Sequence, residues 1–301
     1  MTLADAAAST PANLAAMQSA VLDWFGRNAR DLAFRRSADP WSVLVSEVIA
    51  QQTQASRAAE AWTRFIARFA TPAALAGASP AEVIRAWRGL GYNRRAIALR
   101  SAAIAIVEDH GGRVPDTLED LVRLPGVGPY TARAVLAIAF DQPVAALDTN
   151  IRRVLGRAFL GDEGSRRPRA LQAAADGFVP AGRAAAWTHA LMDVGAVFCR
   201  KRDPRCEACP LASHCRFLAA GRPQAARAPL PHTPFRSTTR WLRGRILDRL
   251  RDAPDGAWVM FDAQLGEHSI DAVHGEIERL GREGIIELEA NEPGRARLGM
   301  A

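Results

Sequence analysis

Three groups of residues in this sequence have types and spacings that could do chemistry. The first is Leu124 to Asp148, LPGVGPYTARAVLAIAFDQPVAALD, which opens on Gly126-Val127-Gly128 and ends on a carboxylate in an otherwise apolar segment. A Gly-x-Gly hairpin between two helices presents consecutive backbone N–H groups at a helix N-terminus, and that concavity binds a phosphate oxygen without reading a base. The second is Glu47, which stands among Val43, Leu44, Val45, Val48 and Ile49. If buried there, the carboxyl has a raised pKa, as a general acid working near neutrality requires; on a solvated helix face it is an ordinary glutamate. The third is the cysteine array: Cys199, Cys206, Cys209 and Cys215 are the four cysteines of the chain, spaced C-x6-C-x2-C-x5-C. Such clustering reads as a metal site rather than two disulfides, and spacing alone leaves zinc and iron–sulfur open. Between the first two cysteines, Arg200, Lys201, Arg202 and Arg205 make a basic loop suited to phosphate.

Helices must position these groups. An amphipathic helix is expected from Leu14 to Phe25. Asp39-Pro40-Trp41 begins another, expected to run from Trp41 to about Phe69 and to carry both Glu47 and the polar run Gln51-Gln52-Thr53-Gln54. Short helices follow, punctuated by Thr71-Pro72, Ser79-Pro80 and Gly89-Leu90-Gly91-Tyr92. Thr117 to Val122 has the Thr-x-x-Asp form of a capping box and supplies the first helix of the Gly-x-Gly hairpin. Ala146 to Leu160 and Trp187 to Phe198 are the next expected helices, the latter leading into the cysteines. Gly221 to Pro234, with four prolines, reads as a linker. Beyond it, helices Trp241–Leu250 and Ser269–Leu280 precede two strands, Ile285–Glu289 and Ala296–Leu298, around Asn291-Glu292-Pro293-Gly294. Helix, helix and a two-stranded wing predict a small winged-helix-like module.

With 301 residues the chain is long enough for two or three domains. Its 39 basic against 32 acidic residues, net charge +7, favour a polyanionic partner. The excess lies before residue 235, because residues 235–301 hold ten Arg against twelve Asp and Glu. Asp271, Glu276 and Glu278 make the second helix of that module a poor surface for a DNA groove, so the module is expected to serve packing or interaction with a protein partner rather than sequence reading. No run of eighteen apolar residues predicts a membrane span, and MTLADAAASTPA reads as a frayed tail rather than a signal peptide. A cytoplasmic, nucleoid-associated monomer is expected.

LPGVGPYTA followed by LDTN resembles the helix-hairpin-helix and Gly/Pro-Asp motif of the DNA glycosylase superfamily that includes endonuclease III. CEACPLASHC is similar to that superfamily's [4Fe–4S] loop, and SEVIAQQTQ resembles the adenine-specific mismatch glycosylases, the MutY family. The resemblance covers residues 14–220. It implies an all-α fold: a six-helix barrel with the hairpin over 29–141, a discontinuous [4Fe–4S] domain over 1–28 and 142–220, a linker at 221–234 and the module at 235–301. It also implies roles. Glu47 protonates an extruded adenine, Asp148 stabilises the cationic sugar, and Tyr130 and Asn150 position groups around sugar and water. Arg35 and Asp193 line the adenine pocket. Gln52 fills the gap in the base stack, with Gln51 and Thr53 beside it on the DNA, and Tyr92 intercalates beside the orphan base. Arg94, Arg200, Arg202 and the Gly126-Val127-Gly128 hairpin meet phosphates, and the four cysteines hold the cluster.

The sequence also departs from the family pattern. Ala50 stands where members carry a leucine, Asn93 where many carry a second tyrosine, and Leu32-Ala33-Phe34-Arg35 where they carry LPWR. Bifunctional relatives have a nucleophilic lysine where this chain has Tyr130, and its sole lysine is Lys201. A monofunctional glycosylase removing adenine opposite guanine or 8-oxoguanine from double-stranded DNA is therefore expected. Tyrosine at this position also occurs in thymine-mismatch glycosylases, which keeps a thymine/uracil enzyme and a non-catalytic DNA-structure-binding protein as alternatives. Residues 235–301 are too short for the MutT-like domain with which typical members recognise oxidised guanine.

Overall fold

The computed structural model describes residues 11–161, 168–222 and 234–299; the expected N-terminal tail and most of the proline-rich linker lie outside them. The described chain is helical apart from one three-stranded sheet near its C-terminus, and no helix in it is long and apolar enough to cross a membrane. Its backbone forms two compact units. One comprises Met1–Glu47, Asp116–Val122 and Val127–Arg227; the other comprises Val48–Pro115, Arg123–Gly126 and Ala228–Ala301.

In the first unit, helices Pro11–Asn28, Pro129–Ala139, Thr149–Leu155 and Ala184–Val197 share a core that includes Met17, Val21, Ala137, Ile151, Val154, Trp187 and Leu191. Proline at the first helical position, where no N–H is needed, starts the helix after Gly128. The helix expected from Ala146 begins instead at Thr149. Asp148 is its N-cap, with an extended backbone and a side chain that accepts from the Ile151 N–H, so the carboxylate sits at the mouth of the helix. After Leu155 the backbone widens into a π turn, Gly156–Leu160. A Cβ at Gly195 would lie 2.6 Å from that of Asn150; glycine is what lets the Ala184–Val197 helix approach this close.

In the second unit, Phe65, Phe69 and Trp87 pack ring against ring, and Ser79 and Glu82 form a complete capping box for helix Pro80–Ala86. The single helix expected from Trp41 to Phe69 is two, Pro40–Ala50 and Ala55–Arg68, separated by a turn in which Gln52 adopts φ 52°. The cause is Arg95. Its guanidinium donates to the carbonyls of Val48 (2.8 Å), Ile49 (3.3 Å) and Gln51 (2.6 Å), satisfying groups that would otherwise continue the helix.

The C-terminal segment has the expected winged-helix-like order, with helices Thr239–Asp252 and Ile270–Arg282 capped by Thr238 and Ser269. Its wing is larger than expected. Strands β1 (Val259–Met260), β2 (Ile286–Leu288) and β3 (Arg295–Leu298) form an antiparallel sheet in the order β1-β3-β2, and the two-residue β1 was too short to show an alternating pattern. This segment packs tightly within its unit. The Gly299 carbonyl accepts from the Ala81 N–H at 2.8 Å, and buried Arg251 donates to the Ile84 carbonyl (3.0 Å) and to Oδ1 of Asn93 (2.7 Å). Asn93, one of the departures from the family pattern, is thereby the acceptor that fixes the tail.

Candidate active site

The four expected catalytic residues, Glu47, Tyr130, Asp148 and Asn150, come together in the first unit. Glu47, near the end of its helix, is 8 % exposed, and the Tyr130 hydroxyl donates to its Oε2 at 2.9 Å. Burial pushes the Glu47 carboxyl up to about 7. The Tyr130 hydrogen bond and the charge of Arg35 oppose that rise, and the negative charge of Asp148 adds to it. Burial and the same two carboxyls hold the Tyr130 phenol well above its usual value, so it is a neutral donor. Burial also raises Asp148, opposed by the N–H groups of Ile151 and Asn150 and by Arg153. Its Oδ1 accepts from Ile151 N–H at 2.6 Å and its Oδ2 from the Asn150 side-chain amide at 3.2 Å. The two carboxyls are therefore unlike: one has a pKa near neutrality, and the ionised form of the other is met by hydrogen bonds.

Asn150 is held in turn by Arg153, whose guanidinium donates to Asn150 Oδ1 (2.7 Å), to the Gly195 carbonyl (2.8 Å) and to the Cys199 carbonyl. Arg35 forms a two-pronged bond with Asp193, Nη1 to Oδ2 at 2.8 Å and Nη2 to Oδ1 at 2.9 Å, and Arg30 adds its Nε to Oδ1 at 2.6 Å. Asp193 is fully buried. Burial would raise its pKa, but Arg35 and Arg30 outweigh it and hold the group below its usual value. Arg30 and His189 were not foreseen as site residues. His189 lies one turn before Asp193 on the same helix, a spacing that could have flagged it. Burial and then Arg35 drive its imidazole down to about 3, so it is neutral, and its Nδ1 is buried without a hydrogen-bond partner among the described residues.

The residues expected on DNA divide between backbone and side chain. Gly126 takes φ 76°, and a Cβ there would lie 2.7 Å from Ala98, so only glycine fits; Gly128 caps the following helix with open space around it. Val127 is buried, so its side chain serves packing and only its backbone is available to a ligand. Thr117 caps the first helix of the hairpin: its Oγ1 accepts from the Asp120 N–H at 3.2 Å, and its hydroxyl donates to Asp120 Oδ2 at 2.7 Å. Gln52 and Arg94 are exposed, Gln51 and Thr53 partly so, and Tyr92 is 42 % exposed at φ 46°. Arg202 is exposed, whereas Arg200 folds back onto the Asp203 carbonyl at 2.7 Å.

The four cysteines are unbridged and line one pocket with Phe198, Ala212, Phe217, Leu218 and Arg157. Among the described residues no three His, Cys, Asp or Glu side chains are grouped to hold a single ion. Burial pushes the Cys209 thiol up to about 12 and raises Cys199 and Cys206. Arg157 is 1 % exposed. It donates to the Arg200 carbonyl at 2.7 Å, meets Cys199 Sγ at 3.8 Å and lies over the Phe217 ring. The Arg157 guanidinium beside Cys199 opposes the effect of burial and favours the thiolate form of that cysteine. Four clustered thiols with a guanidinium beside them fit an anionic metal–thiolate centre.

The model of the HhH-GPD superfamily of base excision DNA repair proteins matches residues 45–180, which include Glu47, the hairpin and Asp148. Over 256 residues the chain is 43 % identical to an adenine DNA glycosylase of Mycobacterium tuberculosis (strain CDC 1551 / Oshkosh), covering 81 % of this chain and 84 % of that protein. It is 30 % identical over 202 residues to a thymine/uracil-DNA glycosylase of Methanothermobacter thermautotrophicus, covering 66 % of this chain and 91 % of the relative. Among solved structures, a thermostable thymine-DNA glycosylase superposes with TM-score 0.66 at 29 % identity, over 70 % of this chain and 99 % of that one.

Proposed function

The chain belongs to the adenine DNA glycosylase family of the HhH-GPD base excision repair superfamily, and on that premise we propose how its residues release adenine, and from which mispairs. It is an enzyme that excises adenine from DNA. The substrate in this reading is adenine opposite guanine or 8-oxoguanine, because a mispaired base is the least costly to extrude. The observation that carries the mechanism is the Glu47–Tyr130–Asp148 constellation.

Protonated Glu47 delivers its proton to the extruded purine, and the Tyr130 hydroxyl holds the carboxyl by its Oε2. Protonation turns the base into a leaving group, and the glycosidic bond breaks through an oxocarbenium-like state. Asp148, ionised and aimed from a helix mouth, stabilises the positive charge growing on the sugar. Asn150 orients Asp148 and the attacking water. Arg35 and Asp193, locked to one another, form the rigid polar wall of the adenine pocket, and neutral His189 adds a hydrogen-bonding nitrogen to the same cluster.

Cys199, Cys206, Cys209 and Cys215 hold a [4Fe–4S] cluster in this proposal. When bound, the cluster supplies a fixed anionic anchor for the basic loop of Arg200 and Arg202, which meets phosphate. Arg153 and Arg157 connect that loop to the helix that Asp148 caps. Protein purified without oxygen should contain about four irons per chain and absorb broadly in the violet-blue. One zinc and no iron would overturn the assignment.

The activity is tested on duplexes with a single A·8-oxoguanine or A·G pair. Free adenine and an intact abasic site are expected, with strand breaks appearing only after added alkali. A phenol at position 130 cannot form an imine, so borohydride should trap no stoichiometric adduct, and Lys201→Arg should remove slow adventitious trapping. Release of thymine from mispairs in place of adenine would refute the substrate. Trapping as fast as base release, surviving Lys201→Arg, would refute the monofunctional mechanism.

A further inference from the structure

The C-terminal segment stands outside the resemblance, yet it builds half of a groove. That groove, about 690 Å³, lies within the second compact unit and is lined by Gln52, Thr53, Arg57 and Tyr92 on one side and by Phe235, Arg240 and Arg243 on the other. Arg240 is exposed, with its guanidinium 4.8 Å from the Tyr92 ring centroid and 5.9 Å from that of Phe235. Neither Arg240 nor exposed Arg57 has a carboxylate partner among the described residues. Nearby Arg243, by contrast, is paired with Glu276 and Glu283, and Arg245 with Asp248.

Two large rings left in solvent, Phe235 at 57 % and Tyr92 at 42 % exposure, thus flank one unneutralised cation. The presentation of Tyr92 is built in. Gly89, Gly91 and Tyr92 all take positive φ, 85°, 66° and 46°, an uncommon conformation for an aromatic residue. Arg95 secures the turn by donating to the Leu90 and Gly91 carbonyls, both at 3.2 Å. On the other side, the Arg251–Asn93 bond and the Arg88–Asp252 ion pair fix the Thr239–Asp252 helix that carries Arg240. The groove is therefore a preformed wall of π faces and free cations. That chemistry suits an unstacked base with its phosphates, because an aromatic face stacks on any base and a guanidinium without a carboxylate partner is free for phosphate.

We infer that the C-terminal segment is part of the DNA-binding apparatus, and that Arg240 and Phe235, with Tyr92 and Arg57, form a subsite for the unpaired nucleotide left when adenine is extruded. This rests on the glycosylase reading, which supplies the unpaired nucleotide. Tyr92 and Phe235 offer stacking faces, and Arg240 and Arg57 meet the flanking phosphates.

The test is equilibrium binding of the full chain to two duplexes, one with a stable abasic-site analogue opposite 8-oxoguanine and one fully paired, across a salt series. Arg240→Ala should weaken binding to the first by about tenfold and lower the salt slope by about one. Phe235→Ala should lower affinity for the abasic duplex more than for the paired one, with the slope unchanged. Arg282→Ala removes an equal charge from the same segment outside the groove lining and should bind as the unaltered protein does. Circular dichroism and melting of each variant confirm folding. Unchanged affinity and slope in folded Arg240→Ala and Phe235→Ala would overturn the proposal and leave the groove to a protein partner or to none. Because no turnover is involved, loss of the glycosylase reading shows separately: no adenine release from a mispair, with the Arg240 effect on binding intact, would sink that reading and keep the subsite.

Discussion

Glu47→Gln is expected to reduce adenine release by about a thousandfold, the middle of the range for a general acid, while the protein still binds mispaired DNA. The amide fits the site and still accepts from the Tyr130 hydroxyl, but it carries no transferable proton. In the unaltered enzyme the active form is the protonated acid, with a pKa of about 7. Single-turnover rates should therefore be flat below that pH and fall about tenfold per unit above it. Stability carries the same sign. Folding raises the Glu47 pKa from 4.5 to about 7, so the folded state binds the extra proton in that window and loses stability as pH rises through it. Above pH 7 the buried carboxylate costs about 3 kcal/mol at most, by the conversion of pKa shift to free energy. Glu47→Gln removes that cost, so its melting temperature should gain on the unaltered protein between pH 5 and pH 8. A variant rate within about tenfold of the original, or an unaltered enzyme whose rate rises with pH through 7, would reduce Glu47 to a structural residue.

The chemistry was more legible in the sequence than its positioning was. Glu47, Asp148, Gly126, Gly128 and the cysteines each declare themselves by residue type and local spacing, because backbone turns and helix caps are set by neighbours in sequence. What stayed hidden depends on distant partners. The helix break at Gln51 to Gln54 contains no proline or glycine; it exists because Arg95, from another helix, takes the carbonyls that would continue the first. Asp193 reads equally well as a surface aspartate until Arg35 and Arg30, far earlier in the chain, are seen on it. Likewise nothing local to Asn93 announces Arg251. The charge count of the C-terminal segment includes Glu276 and Glu283 without showing what they pair with. These are spent on Arg243, which leaves Arg240 and Arg57 free of carboxylates among the described residues.

Asp148→Asn should be at least as damaging, with excision down by a factor of about a thousand and mismatch binding largely kept. Asparagine serves as an N-cap about as well as aspartate, so it keeps the bond from Ile151 N–H and the helix start. Its amide nitrogen would then face the Asn150 side-chain amide, whose oxygen is already engaged by Arg153. That donor-on-donor contact costs about 1–3 kcal/mol, and the protein should melt a few degrees lower but remain folded. What disappears is the negative charge aimed at the sugar, and a neutral amide cannot replace it as the oxocarbenium forms. A second consequence separates a catalytic Asp148 from a merely structural one. The Asp148 charge helps to raise the Glu47 pKa, so its removal must lower it. The residual activity of Asp148→Asn should therefore lose rate at lower pH than the unaltered enzyme does. Turnover within about tenfold of the original would remove Asp148 from the catalytic role. An alkaline limb at unchanged pH would show that the two carboxyls do not sense one another.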